Sequence, residues 1–311
     1  MKHAFALAAL ALAATPLLAQ SGGASFVVRE TGQGFGSLQD AVNAIGNHRG
    51  TIVIAPGRYR QCAVQEAGDI TYAAAQPGTV TFDRETCEGK AGLVLRGHAA
   101  TISGLIFQNM HVADRNGAGI RLEHGNLVVR ESLFRDSESG ILSANDASGR
   151  ILVEQSTFSG LGACPDGGDC AHSIYIGEYG SLAVHRVRFE RGRGGHYVKT
   201  RSPRIEVTDS SFDDTGGHAT NYMIDLSAGA TGLIARNIFV QGRDKENYSA
   251  LITVAAEGAS NSSDGLTLVD NTASLAPGQT HGTSFVADLS GDSLRIGANR
   301  LGPKIARFER R

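Results

Sequence analysis

The chain has 311 residues, a formal net charge of −2 and 19% charged residues, so it offers no basic stripe for a nucleic acid backbone. With 41% hydrophobic residues, 40 glycines, 7 prolines and no tryptophan, it is too apolar for disorder and too glycine-rich for a helical bundle. That composition suits short strands joined by tight turns.

The start reads as an export signal over residues 1–19. Met1-Lys2-His3 is a short basic lead, Ala4 to Leu18 is apolar, and Ala19 before Gln20 offers a cleavage point. The apolar run is short for a membrane span, and no later stretch is long and apolar enough to cross a bilayer. The mature chain is therefore expected to be secreted or periplasmic, where its four cysteines pair as Cys62 with Cys87 and Cys164 with Cys170.

Ser25 to Val28 suggests a first short strand. The segment GSLQDAVNAIG then predicts a helix over 36–46: Ser37 caps it, Leu38, Ala41, Val42 and Ile45 share one face, and Gly46 ends it. Such a helix is expected to cover the open apolar end of whatever follows. TIVIAPGRY and then Asp69 to Phe82 read as two less regular strand-and-turn units.

From about 99 to 301 the chain repeats. The octets ATISGLIF, LVVRESLF, ILVEQSTF, LAVHRVRF, IEVTDSSF and GLIARNIF close on Phe107, Phe134, Phe158, Phe189, Phe212 and Phe239, a period of about 26 residues that belongs to solenoids. Alternation such as Ile151 and Val153 puts one strand face inside. Ser132, Ser156, Ser210 and Asn237 recur at the sixth position, with Asn271 and Asn299 in later coils. They are expected to form a polar ladder at a turn, where they also tolerate left-handed angles, while the closing phenylalanines stack in the core. Residues 20–311 thus read as a single domain, and the basic tail LGPKIARFERR has no evident docking site.

A second strand precedes most octets: GIRLE, GILSA, SIYIGE, HYVKTR, YMIDLS and ALITVA. Aligning the inward Ile120, Ile141, Ile174, Val198, Ile224 and Ile252 leaves an outward column of Arg121, Leu142, Tyr175, Lys199, Asp225 and Thr253. In a parallel stack these are rungs roughly 5 Å apart on one exposed face. His172, Tyr175, Glu178, His196, Lys199, Arg201 and Asp225 crowd onto three adjacent coils, with Tyr222 beside them and Arg191, Arg193 and His218 in connecting turns. A merely solvated face explains the charges, and His172 and His196 stand in the inward phase, which suits core rings equally well. The cluster of a tyrosine, two histidines and H-x-x-K-x-R in the central coils fits a functional cleft better.

The SLQDAV helix followed by TIVIAPGRY, with octets such as LVVRESLF and IEVTDSSF, resembles the right-handed parallel β-helix superfamily typified by pectin and pectate lyases. The resemblance covers nearly the whole mature chain. It implies an all-β right-handed parallel β-helix with a short N-terminal capping helix, and it leaves activity open among lyases, hydrolases, epimerases and non-catalytic repeat proteins.

The residues themselves suit β-elimination on an acidic polysaccharide, which needs a neutralised carboxylate, a base and an acid. Lyases of the resembled superfamily use Lys or Arg as base, often with calcium or a second Arg. That resemblance implies Lys199 as base, its proton loosened by Arg201, Tyr175 as proton donor, Arg201 on the sugar carboxylate and His196 in support. His172, Glu178, Asp225, Arg121, Tyr222 and His218 would bind substrate. Asp225 and Glu178 are too few carboxylates for a tight calcium site, and Asp166 and Asp169 of the DGGD loop are a second candidate. The Asp213-Asp214 pair followed by His218 keeps a hydrolase open, although adjacent carboxylates on a turn diverge. A uronate epimerase and a non-catalytic glycan-binding protein also stay open. A monomer is expected.

Overall fold

One left-handed residue turns each octet through a corner, so that it forms two short strands rather than one strand and a turn. In LVVRESLF the first strand is Asn126–Arg130, Glu131 takes φ 52°, and the chain resumes as Leu133–Arg135. Gln155, Arg186, Asp209, Arg236 and Asp270 repeat this corner with φ between 47° and 59°. A third strand, such as Ser139–Ser143, completes the coil. The left-handed angle therefore belongs to the fifth position of the octet, and the Ser or Asn at the sixth does a different job.

The computed structural model describes residues 23–164 and 170–311. The export signal over 1–19 and the DGGD loop with Asp166 and Asp169 lie outside the described residues. The coils stack into three sheets of 12, 10 and 11 strands, here A, B and C in the order the chain visits them. The strands of the stack pair in parallel, and Phe26–Val28 joins antiparallel to Gln33–Phe35 and Arg49–Ile54. The protein is an all-β parallel β-helix.

The core follows the repeat. On sheet B, Phe82, Phe107, Phe134, Phe158, Phe189, Phe212 and Phe239 stack with ring centroids 4.7 to 5.5 Å apart. On sheet C, Ile120, Ile141, Ile174, Val198, Ile224 and Ile252 are fully buried. At the corner between sheets A and B runs the polar ladder: Ser210 N donates to Asn237 Oδ1 at 2.9 Å, Asn237 N to Asn271 Oδ1 at 3.0 Å, and Asn271 N to Asn299 Oδ1 at 3.0 Å. Ser132 and Ser156 make an earlier run, and Val187 interrupts the two. The ladder satisfies backbone donors that the corner removes from the sheets. Asn271→Leu is expected to leave the buried Asn237 N–H without an acceptor and to cost about 1–3 kcal/mol. Urea denaturation checks this; an unchanged midpoint would show that the ladder is ornamental.

The helix α1, Leu38–Ile45, starts where Ser37 Oγ accepts from Asp40 N and buries Leu38, Ala41, Val42 and Ile45. Gln61 Oε1 accepts from Leu38 N and Gln39 Oε1 from Val64 N, both at 2.8 Å, which ties α1 to the first coil. The C-terminal tail, whose docking the sequence leaves open, adds Ile305–Ala306 and Glu309–Arg310 to Thr283–Asp288 on sheet C. Disulfides join Cys62 to Cys87 and Cys164 to Cys170.

Candidate functional site

The outward column on sheet C has the expected register. Arg121 pairs with Leu142, Leu142 with Tyr175, Tyr175 with Lys199, Lys199 with Asp225 and Asp225 with Thr253. The column is not an exposed face, however: Lys199 is 8% and Asp225 2% exposed. Segments joining the coils rise beside sheet C and turn the face into a cleft of about 560 Å³. Arg121, His172, Tyr175, His196, Lys199 and Arg201 line it together with Asn221, Glu246 and Glu257.

Asp225, expected to bind substrate, does not line the cleft and lies buried behind Lys199 and His196. Its carboxylate accepts from Ser227 Oγ at 2.7 Å and Thr253 Oγ1 at 3.0 Å, and lies 3.5 Å from Lys199 Nζ and 3.6 Å from His196 Nε2. Burial pushes its carboxyl above the usual range, against the pull of Lys199 and these hydrogen bonds. Above it, Glu257 bridges Lys199 Nζ and the Arg201 guanidinium. Burial opposes the Glu257 charge, but its two cationic partners outweigh burial and hold the carboxyl below its ordinary value. Arg201 also donates to Tyr175 Oη, and its guanidinium carbon lies 5.2 Å from the tyrosine ring centroid, with Lys199 Nζ at 5.5 Å. A phenol that accepts from a guanidinium keeps its own proton free for another acceptor.

His172, His196 and Tyr222 occupy one column two residues before the buried positions and stack on each other, with centroids 4.8 and 5.4 Å apart. His172 Nδ1 accepts from His196 N at 2.9 Å and His196 Nδ1 from Tyr222 N at 3.1 Å. Each ring therefore carries its hydrogen on Nε2 and serves as a wall as much as a reactive group. Burial pulls both rings below their usual value, with Lys199 adding to the effect, and brings His196 down to about 3. The unfolded chain then binds more protons than the native one as the pH drops below about 6.5. The stability these neutral rings contribute is complete above that pH and is lost toward pH 3. We expect the melting temperature to fall less steeply in His196→Asn than in the wild-type protein as the pH drops below 6.5, a comparison in which both proteins share the opposite-signed contribution of Asp225. Equal slopes in the two proteins would contradict this.

Other expected site residues lie elsewhere. Glu178 is exposed on the turn after Ile174–Ile176, where its N–H bonds Asn145 Oδ1, and it does not line the cleft. His218 pairs with Asp244 on an exposed turn, and Arg191 reaches Ser159. Tyr222 backs His196 rather than facing the cleft. Asp213, at the end of the strand Ser211–Asp213, and Asp214 diverge: Asp213 accepts from Thr215 N, while Asp214 is fully buried against Lys245, Tyr197 and Thr220. They form no dyad across a sugar. Calcium does not fit the cleft either, because Asp225 is saturated by hydroxyls and Glu257 by two cations. Among the described residues, the metal-like grouping Cys164, Cys170 and Glu246 is excluded by its disulfide.

Sequence reasoning missed Glu257. It lies on the connection after Ala250–Val254, and the strand register that aligned the column says nothing of where a loop residue will reach. A broader groove of about 800 Å³ crosses sheet A beside Arg150, Arg204 and Glu206, but short side chains line most of it and none of the reactive cluster is there.

A family model described as "Right handed beta helix region" matches residues 91–279. The chain belongs to the right-handed β-helix family. Among solved structures, this β-helix is similar to the alginate lyase from Paenibacillus sp. str. FPU-7, at 18% identity and TM-score 0.63, covering 88% of this chain and 94% of that one. It is also similar to the pectin methylesterase from Aspergillus niger, at 13% identity and TM-score 0.57, covering 83% and 88%. The Streptococcus pneumoniae surface protein and adhesin PfbA is similar at 11% identity and TM-score 0.50, covering 88% and 94%. At these identities the likeness establishes a shared fold. No curated protein matches the chain in sequence.

Proposed function

We propose that this β-helix cleaves an acidic polysaccharide by β-elimination in the sheet C cleft. The observation that carries the reading is the convergence of Tyr175, Lys199 and Arg201 in one cleft above the buried Asp225. Arg201 holds the sugar carboxylate and so draws charge from the neighbouring carbon. Lys199, the base, removes the proton from that carbon, and Asp225 lies 3.5 Å behind its nitrogen. The electron pair left behind forms a carbon–carbon double bond as the bond to the glycosidic oxygen breaks. The departing oxygen takes the Tyr175 hydroxyl proton, which the hydrogen bond from Arg201 leaves free to donate.

Arg121, three rungs from Lys199 and also lining the cleft, would meet the polymer beyond the cleaved bond. His172 and His196 wall the site, and Tyr222 supports them. Polysaccharide-active neighbours on the same fold, a lyase and an esterase, agree with the substrate class and do not choose the reaction. We further propose that residues 20–311 act as one monomeric domain outside the cytoplasm, with α1 covering the first coil. Two disulfides fit an oxidising compartment, and among the described residues no helix is long and apolar enough to span a membrane. Incubation with a panel of polyuronates is expected to release products with the ultraviolet absorbance of an unsaturated sugar, with and without chelator. Saturated products would move the assignment to a hydrolase, and binding without turnover would move it to a glycan-binding protein.

A further inference from the structure

We propose that Glu257 is a built-in competitor for the substrate's carboxylate: its side chain occupies the anion site between Lys199 and Arg201, and an acidic sugar binds by displacing it. The inference rests on the acidic-polysaccharide reading above and adds to it a residue that decides which ligands gain entry.

The two carboxylate oxygens divide their work as a bound sugar carboxylate would. One oxygen faces Lys199 Nζ and the other Arg201 Nη2, and the partners are 58 and 56 residues away in the chain. An anion held by two cations two residues apart, one on the strand Val198–Thr200 and one just after it, marks the place where those cations best accept negative charge. Burial orders the three groups: the side chains of Lys199, Arg201 and Glu257 are 10%, 28% and 41% exposed. The acid thus stands at the mouth and the cations behind it, so a ligand entering from solvent meets Glu257 first.

Asp225 cannot play this part. Its side chain is 3% exposed and pinned by Ser227 and Thr253. Glu257, in contrast, lies in an exposed run over 256–260; its side chain meets only the two cations, and its backbone is held through its N–H to Ser227 O at 2.9 Å. A side-chain rotation into water is enough to vacate the site. Exchanging one carboxylate for another preserves the charge balance of the cleft, whereas a neutral sugar has nothing to offer the two cations in return. Glu257 would therefore yield its place to an acidic ligand and not to a neutral or esterified one.

The exchange has a signature in salt. In the wild-type protein an acidic ligand replaces one set of ion pairs with another, so affinity should vary little with ionic strength; in Glu257→Gln the ligand creates new pairs, and affinity should fall steeply as salt rises. Calorimetric titration with sodium glucuronate, with glucose as the neutral counterpart, reads this directly. We expect Glu257→Gln to bind glucuronate about tenfold more tightly than wild type at low ionic strength, with glucose unchanged. Glu257→Ala should do the same, and melting curves verify that both variants are folded.

Equal or weaker glucuronate binding in both folded variants, or a salt slope identical to wild type, overturns the proposal. The test also separates it from the reading it builds on. Tighter, salt-sensitive binding in the variants with no cleavage of any polyuronate by wild type would remove the elimination mechanism and leave the competitor standing. Cleavage by wild type without the gain in the variants would do the reverse.

Discussion

Lys199→Ala is expected to abolish release of unsaturated product, with a loss of at least about 10²–10⁴-fold, the range of a missing general base. The side chain sits in the middle of the sheet C column, between Tyr175 and Asp225, and its nitrogen is nearly enclosed. Asp225 keeps Ser227 and Thr253 as partners, so the coil is expected to remain folded, which a melting curve verifies. Tyr175→Phe removes a single oxygen and leaves the ring that Arg201 and Lys199 lie beside. It should lower kcat while changing KM little, because the phenol proton matters only as the leaving oxygen departs. Full activity in Lys199→Ala would remove this lysine from the mechanism. A rise in KM alone would make it a binding residue.

The second large effect is on stability. Lys245 Nζ and Asp214 Oδ2 form a 3.0 Å ion pair with both side chains wholly buried, and Tyr197 Oη, Thr220 Oγ1 and Gly242 N also donate to Asp214. Lys245→Met leaves the Asp214 carboxylate inside without its countercharge, and breaking one side of such a pair costs about 3–5 kcal/mol. Adding Asp214→Asn removes the orphaned charge and should recover part of the loss. Urea denaturation of the single and double variants measures both, and a loss below about 1 kcal/mol in Lys245→Met would contradict the reading. The pair also bears on the cleft. Gly195, Thr220 and Lys245 join through isolated parallel bridges, and Gly195, Asn221 and Glu246 line the cleft wall. Loosening the pair is therefore expected to weaken substrate binding before global unfolding.

What could be read in the sequence was whatever the repeat imposes. A strand that recurs every coil must place its inward residues in one column and its outward residues in another. Phe107 to Phe239 could therefore be stacked, and Tyr175, Lys199 and Asp225 aligned, from spacing alone. The split of each octet was not legible, because one left-handed residue such as Glu131 or Asp209 carries no compositional mark. The depth of the site was hidden for a different reason. Exposure of an outward column depends on the segments joining coils, whose lengths and paths vary, and Glu257 arrives from one of them to close over Lys199 and Arg201. Asp213-Asp214-His218 shows the converse error: residues that look like a catalytic cluster in a row were scattered into a half-buried acid, a buried ion pair and a surface histidine.

Mass spectrometry of oligosaccharides released from a polyuronate distinguishes elimination from hydrolysis outright, since their products differ by one water. Products lighter by that water, carrying a double bond at the new non-reducing end and absent in Lys199→Ala, are the expected result. Products that retain the water, or unsaturated products formed equally well by Lys199→Ala, would contradict an elimination centred on this lysine.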